Sequence, residues 1–119
     1  MKIQEFEQVL NRRLAQIHEV LQVKAFEYAQ DGDRLYNFKV VARINNTTPE
    51  EALWGMAMKH VVSVIDLIEG RLERSEKKVD EKIGDLINYL ILLEALFVEE
   101  REQAIAERET THENETAKA

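Results

Sequence analysis

Two sets of polar residues stand where helices ought to be apolar. Lys59, Ser63 and Asp66 are spaced four and three residues apart, which stacks them on one face of a helix. Glu81, Asp85 and Asn88 repeat the spacing further along. Carboxylates one turn apart can share a cation. A buried pair without a counter-charge costs on the order of several kcal/mol per ion, so it must hold a proton, a lysine or a metal. Mg²⁺ suits such oxygens and keeps waters that bridge to phosphates. The competing reading is ordinary ion pairing of Glu81 and Asp85 with Lys59, Lys77 or Lys82.

A second cluster lies between Lys24 and Lys39, where Lys24, Glu27, Tyr28, Asp31, Asp33, Arg34, Asn37 and Lys39 mix both charges with aromatics. It reads equally as a ligand-binding corner and as a solvated helix junction. Tyr28, Tyr36 and Phe38 are able to stack on a base or to fill a core. Trp54 is expected to anchor the core between the second and third helices. His60, beside the Lys59 stripe, is either a general base or ligand or a satisfied structural group. His18 and His112 are expected at the surface or in the tail.

The elements that position these residues follow from hydrophobic periodicity. Ile3, Phe6, Leu10, Leu14, Ile17 and Leu21 form one stripe and predict a helix over 2–29. Asp31-Gly32-Asp33 breaks it, with Asp33 a candidate N-cap for a short helix over 34–44. Thr48-Pro49-Glu50-Glu51 is the sharpest start signal in the chain: a capping hydroxyl, a proline at the first helical position and acids near the positive end of the dipole. This third helix should run to Glu69 and exit at Gly70. It is apolar almost all round and must be covered on most sides. After a charged connector from Arg71 to about Ser75, a fourth helix is expected through Phe97, fraying between residues 99 and 108. If the third and fourth helices form an antiparallel hairpin, the two polar stripes face each other.

Composition sets the class. At 119 residues, 45% hydrophobic and 33% charged, with four Gly and one Pro, the chain reads as a single all-α domain over 1–108. Residues 109–119 carry no large apolar side chain and are expected to be a flexible acidic tail. The absence of cysteine excludes disulfides, thiol nucleophiles and cysteine-based metal sites. The net charge is −7, and residues 99–119 hold seven acids against three bases. That balance argues against a broad nucleic-acid-binding face but leaves room for a small anion held by a few lysines. The N-terminus lacks a signal-peptide core, and the longest apolar run, Tyr89 to Val98, is broken by Glu94 and too short for a membrane span. A cytoplasmic location is expected.

Three segments in order, Lys24-Ala25-Phe26-Glu27-Tyr28-Ala29, Lys59, and Glu81-Lys82-Ile83-Gly84-Asp85-Leu86-Ile87-Asn88-Tyr89, resemble motifs of the MazG-like nucleotide pyrophosphohydrolases. The likeness is nearest to phage and prophage nucleotide-modification-associated proteins, which carry Lys-x-x-Asp-Tyr-Gly, a mid-chain lysine and an acidic pair ending in Asp-Leu-x-Asn-Tyr. It covers roughly residues 20 to 95. The resemblance implies a four-helix MazG-like bundle with a long first helix, a short second one and a hairpin of the third and fourth. It also implies hydrolysis of nucleoside triphosphates to monophosphate and pyrophosphate with Mg²⁺.

Carried over by position, the resemblance assigns Asp66, Glu69, Glu81 and Asp85 to the metal, and Glu81, Asp85 and Lys59 to catalysis. Lys24, Glu27, Asn37, Lys39 and Asn88 are then assigned to the nucleotide. The sequence departs from the pattern at Lys82, where the second motif has Glu, at Asp66, where the first has Glu, and at Ala29, where nearer relatives have Gly. Fewer strong ligands remain, so binding without hydrolysis, to a nucleotide or a host protein, is the alternative. A homodimer or higher homo-oligomer is expected because so apolar a third helix has few partners within the chain, and the first helix is a candidate for assembly.

Overall fold

The computed structural model describes residues 1–23 and 32–118, and among them all regular structure is helical. Helix α1, Ile3–His18, begins where the Glu5 carboxylate accepts the Lys2 backbone N–H at 2.9 Å. It passes into a π-helical turn, Glu19–Val23, a wider coil that often marks functional segments. The predicted helix over 2–29 therefore loses α geometry after His18, and its last residues, with Lys24, Glu27, Tyr28 and Asp31, lie outside the described residues.

Helix α2, Tyr36–Asn45, forms two residues later than its predicted start. Asp33 stands just before it rather than at the cap, its Oδ1 accepting the Leu35 N–H at 2.9 Å. Asn46, at φ 54°, turns the chain out of α2 in the left-handed region. Helix α3, Pro49–Glu69, starts as the sequence dictates: Thr48 Oγ1 accepts the Glu51 N–H at 3.2 Å. It ends at Gly70, φ 82°, where no side chain obstructs the turn. Arg74 closes that end by donating to the carbonyls of Leu67 and Ile68, each at 2.7 Å.

Helix α4, Glu76–Lys118, opens with Ser75 Oγ accepting the Lys78 N–H at 3.2 Å. It does not fray between residues 99 and 108 but runs on through the segment read as a flexible tail. Ala104, Ala106, Glu107 and Arg108 are good helix formers, and the Thr110 and Thr116 hydroxyls donate to carbonyls one turn back. Its 43 residues give a rod of about 65 Å, which sets the 66 Å long axis of the molecule. Every side chain from Ile105 to Lys118 is exposed.

Helices α3 and α4 form the expected hairpin, with α2 packed against α3. Leu35, Phe38, Leu53 and Leu96 are the buried centre, and Tyr89, Met56 and Leu92 pack around them. Leu53 is wholly buried, and the Phe38 and Tyr89 rings meet edge to face at 6.3 Å. Helix α1 buries no residue. Arg12 ties it to Glu76 and Asp80 of α4 at 2.7 and 3.1 Å, and Arg13 donates to the Asp80 carbonyl at 3.2 Å. Gly84 makes room for this crossing, because a Cβ there would lie 2.6 Å from Arg13 Nη1.

The apolar stripe of α1, the helix named as a candidate for assembly, stands open, with Ile3, Phe6, Leu10 and Leu14 each about half exposed or more. One expectation about the core fails. Trp54 is 46% exposed and does not anchor the core between α2 and α3. No described helix is long and apolar enough to cross a membrane.

Candidate functional site

Where α2, α3 and α4 meet the π-helical turn, they leave a cleft of about 350 Å³. Val20 and Leu21 of the turn form one wall, and Phe38, Met56 and Leu92 the apolar floor. The polar side chains that reach it are Arg34 and Asn37, Lys59 and His60 of α3, and Asp85 and Asn88 of α4. Val20, Asp85 and Asn88 also border an adjoining cavity of about 780 Å³ lined by Glu81, Asp80 and Arg13. The two spaces thus share a wall of α4.

The chemistry along that wall is graded. Asn88 is 9% exposed, and its Oδ1 is buried with no hydrogen-bond partner among the described residues. Such an oxygen is costly to leave unmatched and suits a ligand donor or a cation. One turn earlier, Asp85 Oδ2 lies 3.5 Å from His60 Nδ1. Burial holds the His60 pKa below its ordinary value; Asp85 opposes the shift, while Lys59 and Lys82 reinforce it. His60 is therefore neutral near pH 7, and its contact with Asp85 is that of an imidazole beside a carboxylate rather than a full ion pair. The imidazole also lies against Tyr89, ring centroids 4.8 Å apart and tilted 37°. Burial, then the nearby Asp85 charge, raises the Tyr89 pKa.

A further turn towards the start of α4, Glu81 Oε1 accepts from Lys82 Nζ at 3.2 Å. That bond, with the charges of Lys82, Lys78 and Lys77, lowers the Glu81 pKa and keeps it ionised. Glu81, Asp85 and Asn88 so present three oxygen-bearing groups on successive turns. Two carboxylates and an amide oxygen fit Mg²⁺, which is usually held by one or two carboxylates plus water.

The other half of the expected ligand set stands elsewhere. Asp66 accepts from Arg71 Nε at 2.9 Å, and Glu69 pairs with the same guanidinium at the hairpin turn. The Arg71 pKa is raised by both acids. Ser63 Oγ donates to the Lys59 carbonyl at 3.0 Å, which occupies its hydroxyl within its own helix. Of the two polar stripes, Lys59, Asp85 and Asn88 meet at the cleft, Glu81 borders the adjoining cavity, and Ser63 and Asp66 line neither space. Among the described residues, no three His, Asp or Glu side chains converge as a metal-binding group.

Lys39, expected at the nucleotide, bridges Asp33 and Glu99 at 2.7 Å each. Its hydrogen bonds to both acids raise its pKa, and the bond to Lys39 lowers that of Asp33. It pins the start of α2 to α4 and does not line the cleft. Lys24 and Glu27 lie outside the described residues. The Arg12–Asp80 crossing was missed in the sequence; Glu76 and Asp80, four apart, match the guanidinium on α1 and were the available signal. Compared with known proteins, the chain matches no family model, no curated protein and no solved structure.

Proposed function

We propose that the chain binds a nucleoside polyphosphate with Mg²⁺ in the α2–α3–α4 cleft and hydrolyses it to monophosphate and pyrophosphate, in the manner of the MazG-like enzymes its motifs resemble. The observation that carries this reading is the meeting of Lys59, Asp85 and the unmatched Asn88 amide at one cleft, from two helices. Phosphate oxygens lie against the cationic side formed by Lys59 and Arg34, with Asn37 donating beside them. Asp85, which borders both spaces, and Glu81 of the adjoining cavity would hold Mg²⁺, with Asn88 Oδ1 as a further oxygen. When bound, the metal neutralises phosphate charge and orients a water.

Neutral His60, set by Asp85, would take a proton from the attacking water as its oxygen bonds to the α-phosphorus. The new P–O bond replaces the one to the bridging oxygen, and pyrophosphate leaves. Phage or prophage origin belongs to the same reading through the resemblance, and a cytoplasmic setting through the reading of the N-terminus and apolar runs.

A second reading keeps the cleft as a binding site without turnover, as in an accessory protein. It is favoured by the engagement of Asp66 and Glu69 with Arg71 and of Glu81 with Lys82, which leaves Asp85 the one expected metal carboxylate with no Lys or Arg partner among the described residues. Incubation of the full chain with ribo- and deoxyribonucleoside triphosphates and Mg²⁺, read by pyrophosphate release, separates the two. Hydrolysis is expected for at least one triphosphate and lost in Asp85→Ala with the helical circular dichroism unchanged. Binding without turnover selects the second reading. Neither binding nor turnover across the panel overturns both.

A further inference from the structure

Helix α1 is held differently from the other three. It buries no residue, whereas α2, α3 and α4 each give a side chain to the Leu53 core. Among the described residues, its side-chain hydrogen bonds to other elements all run to one turn of α4, from Arg12 to Glu76 and Asp80 and from Arg13 to the Asp80 carbonyl. The Arg12 side chain is half exposed and that of Glu76 76% exposed, so salt screens this pair and it contributes little. Apolar packing does not make up the difference. Between Phe6, Val9 and Leu10 of α1 and Val79, Ile83 and Ile87 of α4 lies a space of about 290 Å³. Apolar side chains that face each other across such a gap forgo the dispersion contacts that close packing would supply.

Further along α1, Arg13, Gln16 and Ile17 stand over the 780 Å³ cavity, whose opposite wall is the stretch of α4 with Glu81, Asp85 and Asn88. Gln16 Oε1 is buried with no partner among the described residues, so the docked position of α1 also carries an unmatched acceptor. The helix then widens into the π-helical turn Glu19–Val23.

We propose that α1 is a hinged cover over the acidic wall of α4, latched by Arg12 and Arg13 and released by ionic strength. Once the ion pairs are screened, no buried side chain of α1 holds it down. The swing takes place about the π-helical turn, an element-terminal segment of the kind that absorbs hinge rotation. The core stays closed because its buried side chains come from outside α1, so opening is local and precedes global unfolding. Release uncovers Glu81 and Asp85 from the α1 side and leaves Lys59 and His60 in place on α3. The cover acts on whatever ligand that wall takes, so it stands apart from the nucleotide reading.

The chain has no cysteine, so a single introduced thiol reports access to the face beneath α1. The test is the rate at which an uncharged maleimide labels Ile83→Cys in the full chain. Raising the salt from about 0.1 M to about 1 M shortens the screening length from about 10 Å to about 3 Å and should speed labelling about fivefold. Ala57→Cys, at a position 1% exposed on α3, should label slowly at both concentrations. With Arg12→Gln and Arg13→Gln added, Ile83→Cys should label at the fast rate already at low salt. If Ile83→Cys loses helical circular dichroism, Val79→Cys in the same space decides in the same way. A rate that salt leaves unchanged or slows overturns the proposal, as does equal acceleration at Ala57→Cys. So does a salt response that survives the two arginine replacements.

Discussion

Lys59 and Asp66 stand two turns apart on one stripe of α3, yet the middle of the hairpin and its turn use the stripe differently. In the middle, Lys59 opens on a cleft opposite Asp85 and Asn88, above the Leu53 core. At the turn, Asp66 and Glu69 close on Arg71, a residue the chain supplies five and two positions later. Spacing places a residue on a face; what it meets depends on how the chain leaves the helix. The Gly70 exit folds Arg71 back onto the acids, and among the described residues no comparable return covers Lys59.

The contrast is open to disruption at several points. Leu53→Ala, beneath the cleft, should cost about 2–5 kcal/mol in chemical denaturation, since a fully buried leucine leaves a cavity. At the turn, Arg74→Ala should cost about 1 kcal/mol by releasing two α3 carbonyls, read in the same experiment.

His60 gives the middle of the hairpin a pH dependence. Its folded-state pKa lies below the ordinary 6.5, so the unfolded chain takes up the proton first as pH falls. The stability contribution is complete above about pH 6.5 and is lost as pH drops through the folded-state value. The melting temperature should therefore fall between about pH 7.5 and pH 5.5, and fall less in His60→Gln. The smallest effect is expected from Arg71→Ala. That exposed guanidinium holds one exposed and one half-buried acid, and its removal should move the melting temperature by roughly a degree or less.

What the sequence made legible was local. Thr48 with Pro49 starts α3, Gly70 ends it and Ser75 precedes α4, because caps and turns are decided by neighbours along the chain. The hairpin follows from those stops. What it hid depends on contacts distant in sequence. The α1 stripe has the period of a core face, but Arg12 and Arg13 fix α1 through ion pairs and leave its leucines open. Trp54 has the size of a core residue but is about half exposed. Lys39 lies in the right cluster, but Glu99, sixty residues on, captures it. Residues 105–118 lack a core face, yet their helix formers continue α4. At the cleft, Lys59, Asp85, Asn88 and Asn37 were named from spacing and resemblance, whereas the His60–Tyr89 stack needed the hairpin register.

The most direct test is calorimetric titration of a Mg²⁺–nucleoside triphosphate into the full chain, comparing Asp85→Asn with Asp66→Asn. Loss of a charged contact at the cleft should weaken binding by about tenfold or more in Asp85→Asn, whereas Asp66→Asn, at the turn, should bind as the wild type does. Equal losses in the two variants, or a loss confined to Asp66→Asn, would contradict the assignment of the site to the middle of the hairpin.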